Sequence, residues 1–142
     1  MASLIYASNM SLDGCTEDER GAVDWAPPDD DVFALITDLM RSAGTYLYGR
    51  RMYETMAVWE TIGDELGEVE RDYAEVWRGL DKVVFSSSLD DVWTPRTRLE
   101  RAFDPEAVRR LKADADHDLS VSGPGLAQHA FRAGLVDEVH LF

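Results

Sequence analysis

Short apolar runs alternating with amphipathic helical segments predict an α/β fold, with a mainly parallel central sheet and flanking helices. Three stretches carry this prediction. Thr45 to Tyr48 is β-prone, stops at Gly49 and runs straight into Arg50-Arg51-Met52-Tyr53-Glu54, which reads as strand, tight turn and helix. Leu119 to Ser122, Gly123-Pro124-Gly125, Leu126 to Ala133 closed by Gly134, and Glu138 to Phe142 read as strand, turn, helix and strand. Val32, Phe33, Leu35, Ile36, Leu39 and Met40 recur at the i, i+3, i+4, i+7 spacing of one helix face.

The other elements follow in chain order. Leu4 to Ser8 is apolar and bounded by Asn9 and Asp13-Gly14, the pattern of a buried strand entering a loop, and residues 10 to 28 read as irregular. Pro27-Pro28-Asp29 supplies a helix start, with Asp29, Asp30 and Asp31 suited to capping and to the helix dipole. A further helix is expected from about Glu65 to Arg78, where Leu66, Val69, Tyr73, Val76 and Trp77 share a face. Lys82 to Ser86 reads as a buried strand and Thr97 to Glu100 as a short one. Asp104-Pro105-Glu106 then opens a helix reaching about Ala113.

Composition narrows the function. A chain of 142 residues supports one sizeable core, so residues 1–142 are expected to form a single domain. No apolar run approaches the roughly 20 residues that span a bilayer, and the first residues lack a basic-then-apolar leader, so a cytoplasmic protein without membrane partners is expected. Fourteen basic and 28 acidic residues give a net charge of −14, which opposes binding to nucleic acid. An anionic small molecule remains compatible, provided that a few local donors form a basic exception. The lone Cys15 forms no intramolecular disulfide, and His117, His129 and His140 are scattered without metal-ligand spacing, so no metal is expected.

Open α/β sheets bind ligands at the carboxyl ends of their strands. Gly49-Arg50-Arg51, Ser86-Ser87-Ser88 and Ser122-Gly123-Pro124-Gly125-Leu126 all follow predicted strands there. Glycine allows close approach of a phosphate, helix N–H groups favour an anion, and arginine adds charge-assisted donors. Each motif alone is common in proteins without ligands, and their matching placement is what joins them. Asp13 fits a plain Asp-Gly turn and would also face the same cleft, while Trp25 suits either a cleft wall or the core.

The first strand followed by Ser11-Leu12-Asp13-Gly14, then Trp25-Ala26-Pro27-Pro28-Asp29-Asp30, Tyr48-Gly49-Arg50-Arg51-Met52-Tyr53-Glu54, Val84-Phe85-Ser86-Ser87, Val121-Ser122-Gly123-Pro124-Gly125 and Leu135-Val136-Asp137-Glu138 occur in a telling order. In this order and spacing the chain resembles the small bacterial dihydrofolate-reductase-like proteins, related to the C-terminal reductase domain of the bifunctional riboflavin-biosynthesis enzyme. The resemblance runs from about Leu4 to Phe142. It implies a three-layer fold, NADPH lying across the strand ends, and hydride delivery to a heterocyclic or carbonyl-like substrate. It assigns Gly49, Arg50 and Arg51 to the adenosine phosphates, with Arg50 at the 2′-phosphate. Ser86 and Ser87 fall by the adenosine half, and Gly123, Gly125 and Leu126 by the pyrophosphate. Asp13, Trp25 and Asp30 border nicotinamide and substrate as the catalytic candidates.

Two departures stand out. Pro124 replaces a small flexible residue and removes one N–H from the phosphate loop. Relatives also continue past the Leu135-Val136-Asp137-Glu138 strand into a further strand pair, which this chain is expected to lack. A homodimer burying part of Val139 to Phe142 is expected in compensation. The rival function is a non-catalytic nucleotide-binding or dimeric assembly module.

Overall fold

The computed structural model describes residues 1–142 apart from 24–26 and 64. It consists of a six-stranded sheet between two helical layers. The strands are β1 (Leu4–Ser8), β2 (Ala43–Gly49), β3 (Asp81–Phe85), β4 (Thr97–Glu100), β5 (Asp118–Ser122) and β6 (Glu138–Leu141). The helices are α1 (Asp30–Ser42), α2 (Arg50–Met56), α3 (Val58–Thr61), α4 (Glu68–Gly79), α5 (Pro105–Asp114) and α6 (Pro124–Arg132).

Local chemistry sets several boundaries. The Asp29 carboxylate accepts from the Val32 N–H and starts α1, and Asp104 does the same for Glu106 ahead of Pro105 in α5. Gly134, at φ +64°, follows α6 in a conformation that favours glycine. The helix expected from Glu65 begins instead at Glu68, with Gly67 as its cap, and α3 is too short to produce a periodic pattern. Pro124 and Gly125 belong to the first turn of α6 rather than to a separate turn.

Every strand pair is parallel, in the order β4-β3-β2-β5-β1-β6, so the sheet is wholly rather than mainly parallel. Alternate residues face opposite layers. Leu47 and Val83 join Leu4, Leu119 and Val121 beneath Val108 of α5 and Leu126, Ala127 and Ala130 of α6. Tyr46, Tyr48 and Val84 face the other way, against Met40 of α1, Tyr53 of α2, and Tyr73 and Trp77 of α4.

Several polar groups inside these layers are paired. Trp77 Nε1 donates to the Tyr48 hydroxyl at 3.0 Å. Buried Lys112 donates to the Leu135 carbonyl at 2.8 Å and to Asp137 Oδ2 at 2.6 Å, and the same carboxylate oxygen accepts from the Leu4 N–H at 2.8 Å. The segment before β6 is thereby fastened to β1 and α5. No described helix is long and apolar enough to cross a membrane.

Candidate functional site

The strand order places a crevice at one junction. From β2 the chain moves outward through β3 to β4, whereas from β5 it moves the opposite way, past β1 to β6. Opposed directions require crossover helices on opposite faces, and α4 and α6 lie on opposite faces. The carboxyl ends of β2 and β5 therefore form the switch point at which open parallel sheets bind ligands.

Tyr48 pairs with Ser122 at the end of this junction, so Gly49 and Gly123 leave the sheet side by side. A Cβ on Gly49 would lie 3.8 Å from Leu126 Cβ, and one on Gly123 would lie 3.5 Å from Met52 Cβ. The two loops thus interlock, each glycine facing the other loop's helix. Gly123 has φ +92°, which an L side chain rarely adopts. A Cβ on Gly125 would meet no protein atom within 4 Å, so this position opens outward.

Arg50 extends from the first position of α2. Its Nε donates to Glu54 Oε1 at 2.9 Å and its Nη1 to Ser88 Oγ at 3.1 Å. A guanidinium has five N–H donors, and these contacts use two. The Ser88 loop is itself ordered by Ser86, whose hydroxyl accepts from the N–H groups of Leu89 at 3.0 Å and Ser88 at 3.3 Å. Ser86 is buried and Ser87 exposed. The ends of β2, β3 and β5 consequently meet with Gly49, Arg50, Ser86, Gly123 and Leu126 around them.

Arg51 takes another course. Its guanidinium pairs with Glu17 at 2.9 Å and lies against Gly21, tying α2 to the long loop after β1. Asp13 sits exposed in a turn closed by hydrogen bonds from the Gly14 N–H to the Ser11 carbonyl and from the Ser11 N–H to the Cys15 carbonyl, both 2.9 Å. The Ser11 hydroxyl first, and then the main-chain N–H of Asp13, hold its carboxyl below the ordinary carboxylate range. Asp30 is exposed in the first turn of α1. Trp25 lies outside the described residues.

Within the expected Ser86-Ser87-Ser88 segment the emphasis shifts, and one participant, Arg101, escaped the sequence reading. Ser88, rather than Ser86 or Ser87, is the serine that Arg50 reaches. Arg101 follows β4 and donates to the main-chain carbonyls of Ser86, Leu89 and Asp90. Nothing in the sequence separates it from other surface arginines.

Open cavities of about 360 and 310 Å³ lie elsewhere, at the amino ends of strands, beside His117 and Asp118 and beside Arg96 and Thr97 respectively. The strand-end crevice is the better candidate because it combines glycine access, cationic donors and the switch point. Among the described residues, no group of three or more His, Cys, Asp or Glu side chains is placed to hold a metal ion.

Known proteins supply the context. Residues 2–142 match the model of the RibD C-terminal domain family. The uncharacterised protein YyaP of Bacillus subtilis strain 168 is 26% identical over 133 residues, covering 93% of this chain and 69% of YyaP. A crystal structure from Shewanella sp. PV-4, of a protein provisionally named for riboflavin biosynthesis, superposes with a TM-score of 0.72 at 19% identity. That match covers 98% of this chain and 75% of the Shewanella chain, and it supports the dihydrofolate-reductase-like three-layer architecture. With the family match extending over nearly every residue, the chain belongs to the RibD C-terminal domain family, a reductase-like family.

Proposed function

We propose that this protein is an NADPH-dependent reductase, with residues 1–142 acting as one domain that directs a hydride to a small heterocyclic or carbonyl-like substrate. The observation carrying the proposal is the meeting of Arg50, the Ser86–Ser88 loop and the Gly49–Gly123 junction at the switch point. The fit to a dinucleotide rests on chemistry present in the chain. Arg50 retains donors for a phosphomonoester, Gly123 has a backbone that glycine favours, and Gly125 leaves space for close approach.

In this reading Arg50 holds the 2′-phosphate, Ser86 and Ser87 border the adenosine, and Gly123, Gly125 and Leu126 border the pyrophosphate. Gly49 lets the α2 start approach α6 closely, while Arg51 braces the loop that carries the substrate-side residues through Glu17. The bound cofactor supplies the hydride. Asp13, held ionised by Ser11, serves as a hydrogen-bond acceptor and orients the substrate, leaving proton donation to Asp30 or solvent. Trp25 is the proposed wall of the nicotinamide side.

Calorimetry of NADPH and NADH binding tests the proposal. A charge-assisted contact of about 1.5–3 kcal/mol predicts a preference of roughly tenfold to a hundredfold for NADPH, largely removed by Arg50→Ala. Equal affinity of the wild type for both nucleotides refutes it. The exposed, ionised state of Asp13 favours a second reading, a nucleotide-binding module without turnover. NADPH oxidation with a panel of pterins, pyrimidinones and quinones separates the two.

A cytoplasmic homodimer belongs to the same proposal. Its support is the exposure of Phe131 on α6 and of Val139 and Leu141 on β6. Light scattering should give twice the 16.0 kDa chain mass, and Leu141→Lys should lower it. A wild-type monomer at micromolar concentration overturns the dimer.

A further inference from the structure

Between β3 and β4 the chain runs from Ser86 to Arg96 without a described helix or strand. The loop nevertheless has to hold Ser88 in position, because Ser88 Oγ receives Arg50. The far end of the loop is held by Tyr53, whose hydroxyl accepts from the N–H groups of Trp93 at 3.0 Å and Thr94 at 3.1 Å, and the end near Ser88 has its own anchors. The Ser86 N–H donates to the Glu100 carbonyl at 2.9 Å, the Ser86 hydroxyl gathers two loop N–H groups, and Leu89 is buried.

Arg101 adds a further constraint on residues 86–90. Its Nη1 donates to the carbonyls of Ser86 (3.4 Å) and Leu89, and its Nη2 donates to the Asp90 carbonyl at 3.2 Å. Three carbonyl dipoles converging on one point repel each other, and a cation at that point reverses the sign of the interaction. The planar guanidinium reaches them through two nitrogens in a fixed fork, an arrangement a lysine ammonium does not reproduce.

The Ser88 hydroxyl oxygen accepts from Arg50, which directs its own proton away from the guanidinium. Arg50 at the start of α2 and Ser88 on the loop after β3 therefore present N–H and O–H donors side by side, a pair suited to a phosphomonoester. We propose that Arg101 is a positioning residue for the 2′-phosphate subsite, selecting the phosphorylated dinucleotide by holding the Ser86–Asp90 main chain so that Ser88 meets Arg50. The inference rests on the assignment of Arg50 above. Arg101 acts through the loop, since its Nη1 and Nη2 groups are engaged with loop carbonyls.

The experiment compares Arg101→Lys, Arg101→Met, Arg50→Ala and the Arg50→Ala/Arg101→Met double variant by NADPH and NADH calorimetry. Amide hydrogen exchange is followed across residues 86–90 in the ligand-free proteins. Both Arg101 variants should lose about tenfold of the NADPH preference and exchange faster at these amides, and the double variant should lose no more preference than Arg50→Ala alone. Arg101→Lys at wild-type preference would show that charge alone suffices and would overturn the proposal. Additive losses in the double variant would overturn it as well. If Arg50→Ala abolishes the preference while both Arg101 variants keep it, the positioning role fails and the Arg50 assignment survives. A wild type without preference for NADPH removes both. Should Arg101→Met fail to fold, Arg101→Lys alone, read in both assays and in the Arg50→Ala background, decides the question.

Discussion

Replacing Lys82 by methionine should change the pH dependence of stability by an amount that the structure sets. Lys82 is 1% exposed, its Nζ donates to the Leu80 carbonyl at 2.7 Å, and the ammonium lies 4.2 Å from the centroid of the Trp77 ring. Desolvation, partly offset by the Glu60 carboxylate, lowers its pKa from 10.5 to about 8. Below pH 8 the folded and unfolded chains both hold the proton, and the fold bears the full cost of the buried charge. Above pH 8 the folded protein releases the proton first, so this cost shrinks as pH approaches 10.5 and stability rises with pH. The gap corresponds to roughly 3 kcal/mol, of which about 2 kcal/mol falls between pH 7 and pH 10. Urea denaturation of the wild type and Lys82→Met at both pH values measures it. Tyr46, Tyr48 and Tyr73, whose phenols burial pushes up, weaken the fold above about pH 10, but they do so in both proteins and cancel in the difference. The wild type should gain about 2 kcal/mol on the variant. A difference constant to within about 0.5 kcal/mol would refute the reasoning, whatever the variant's absolute stability.

Three further outcomes are expected. Tyr48→Phe leaves the buried Trp77 N–H without its acceptor and should cost about 1–3 kcal/mol in denaturant unfolding. Gly123→Ala places a Cβ on a backbone at φ +92° and 3.5 Å from Met52 Cβ, and should lower stability by about 1–3 kcal/mol while weakening nucleotide binding. The hydrogen bond from Lys112 holds the Asp137 carboxyl below its usual range, so its contribution is present above about pH 4 and is lost as pH falls through the lower folded value. Asp137→Asn should therefore flatten the acid limb of a thermal-stability profile. The effect should be modest, about 1 kcal/mol or less, because the carboxylate is 45% exposed.

The elements were legible wherever local chemistry alone decides them. Leu4 to Ser8 and Thr97 to Glu100 match β1 and β4, and Asp29 and Asp104 mark the starts of α1 and α5. Where several local signals competed, the boundary moved. Leu66 extends the apolar pattern of α4, yet Gly67 caps that helix and starts it later. The same division runs through the candidate site. Gly49 and Gly123 could be found because each follows a strand and precedes a helix. Arg50 and Arg51 are adjacent in sequence, but about 100° apart around the helix, so one meets Ser88 and the other Glu17. Arg50 meets Ser88 only when β2 and β3 align, and Arg101 reaches the Ser86–Asp90 carbonyls only when β3 and β4 align, and no local pattern encodes either meeting.

The position of β5 between β1 and β2 also governs the order in which the sheet can be completed during synthesis. β1 pairs with β5 and β6 only, so its partners lie more than 100 residues further along the chain, as the Leu4 and Leu119 register shows. Strands β2, β3 and β4, with α4 closing one side, can associate through nearer contacts while β1 waits unpaired. An emerging chain would therefore carry an apolar strand without a partner until residues 118–122 leave the ribosome. The strand of this sheet that is made first is among the last to be paired.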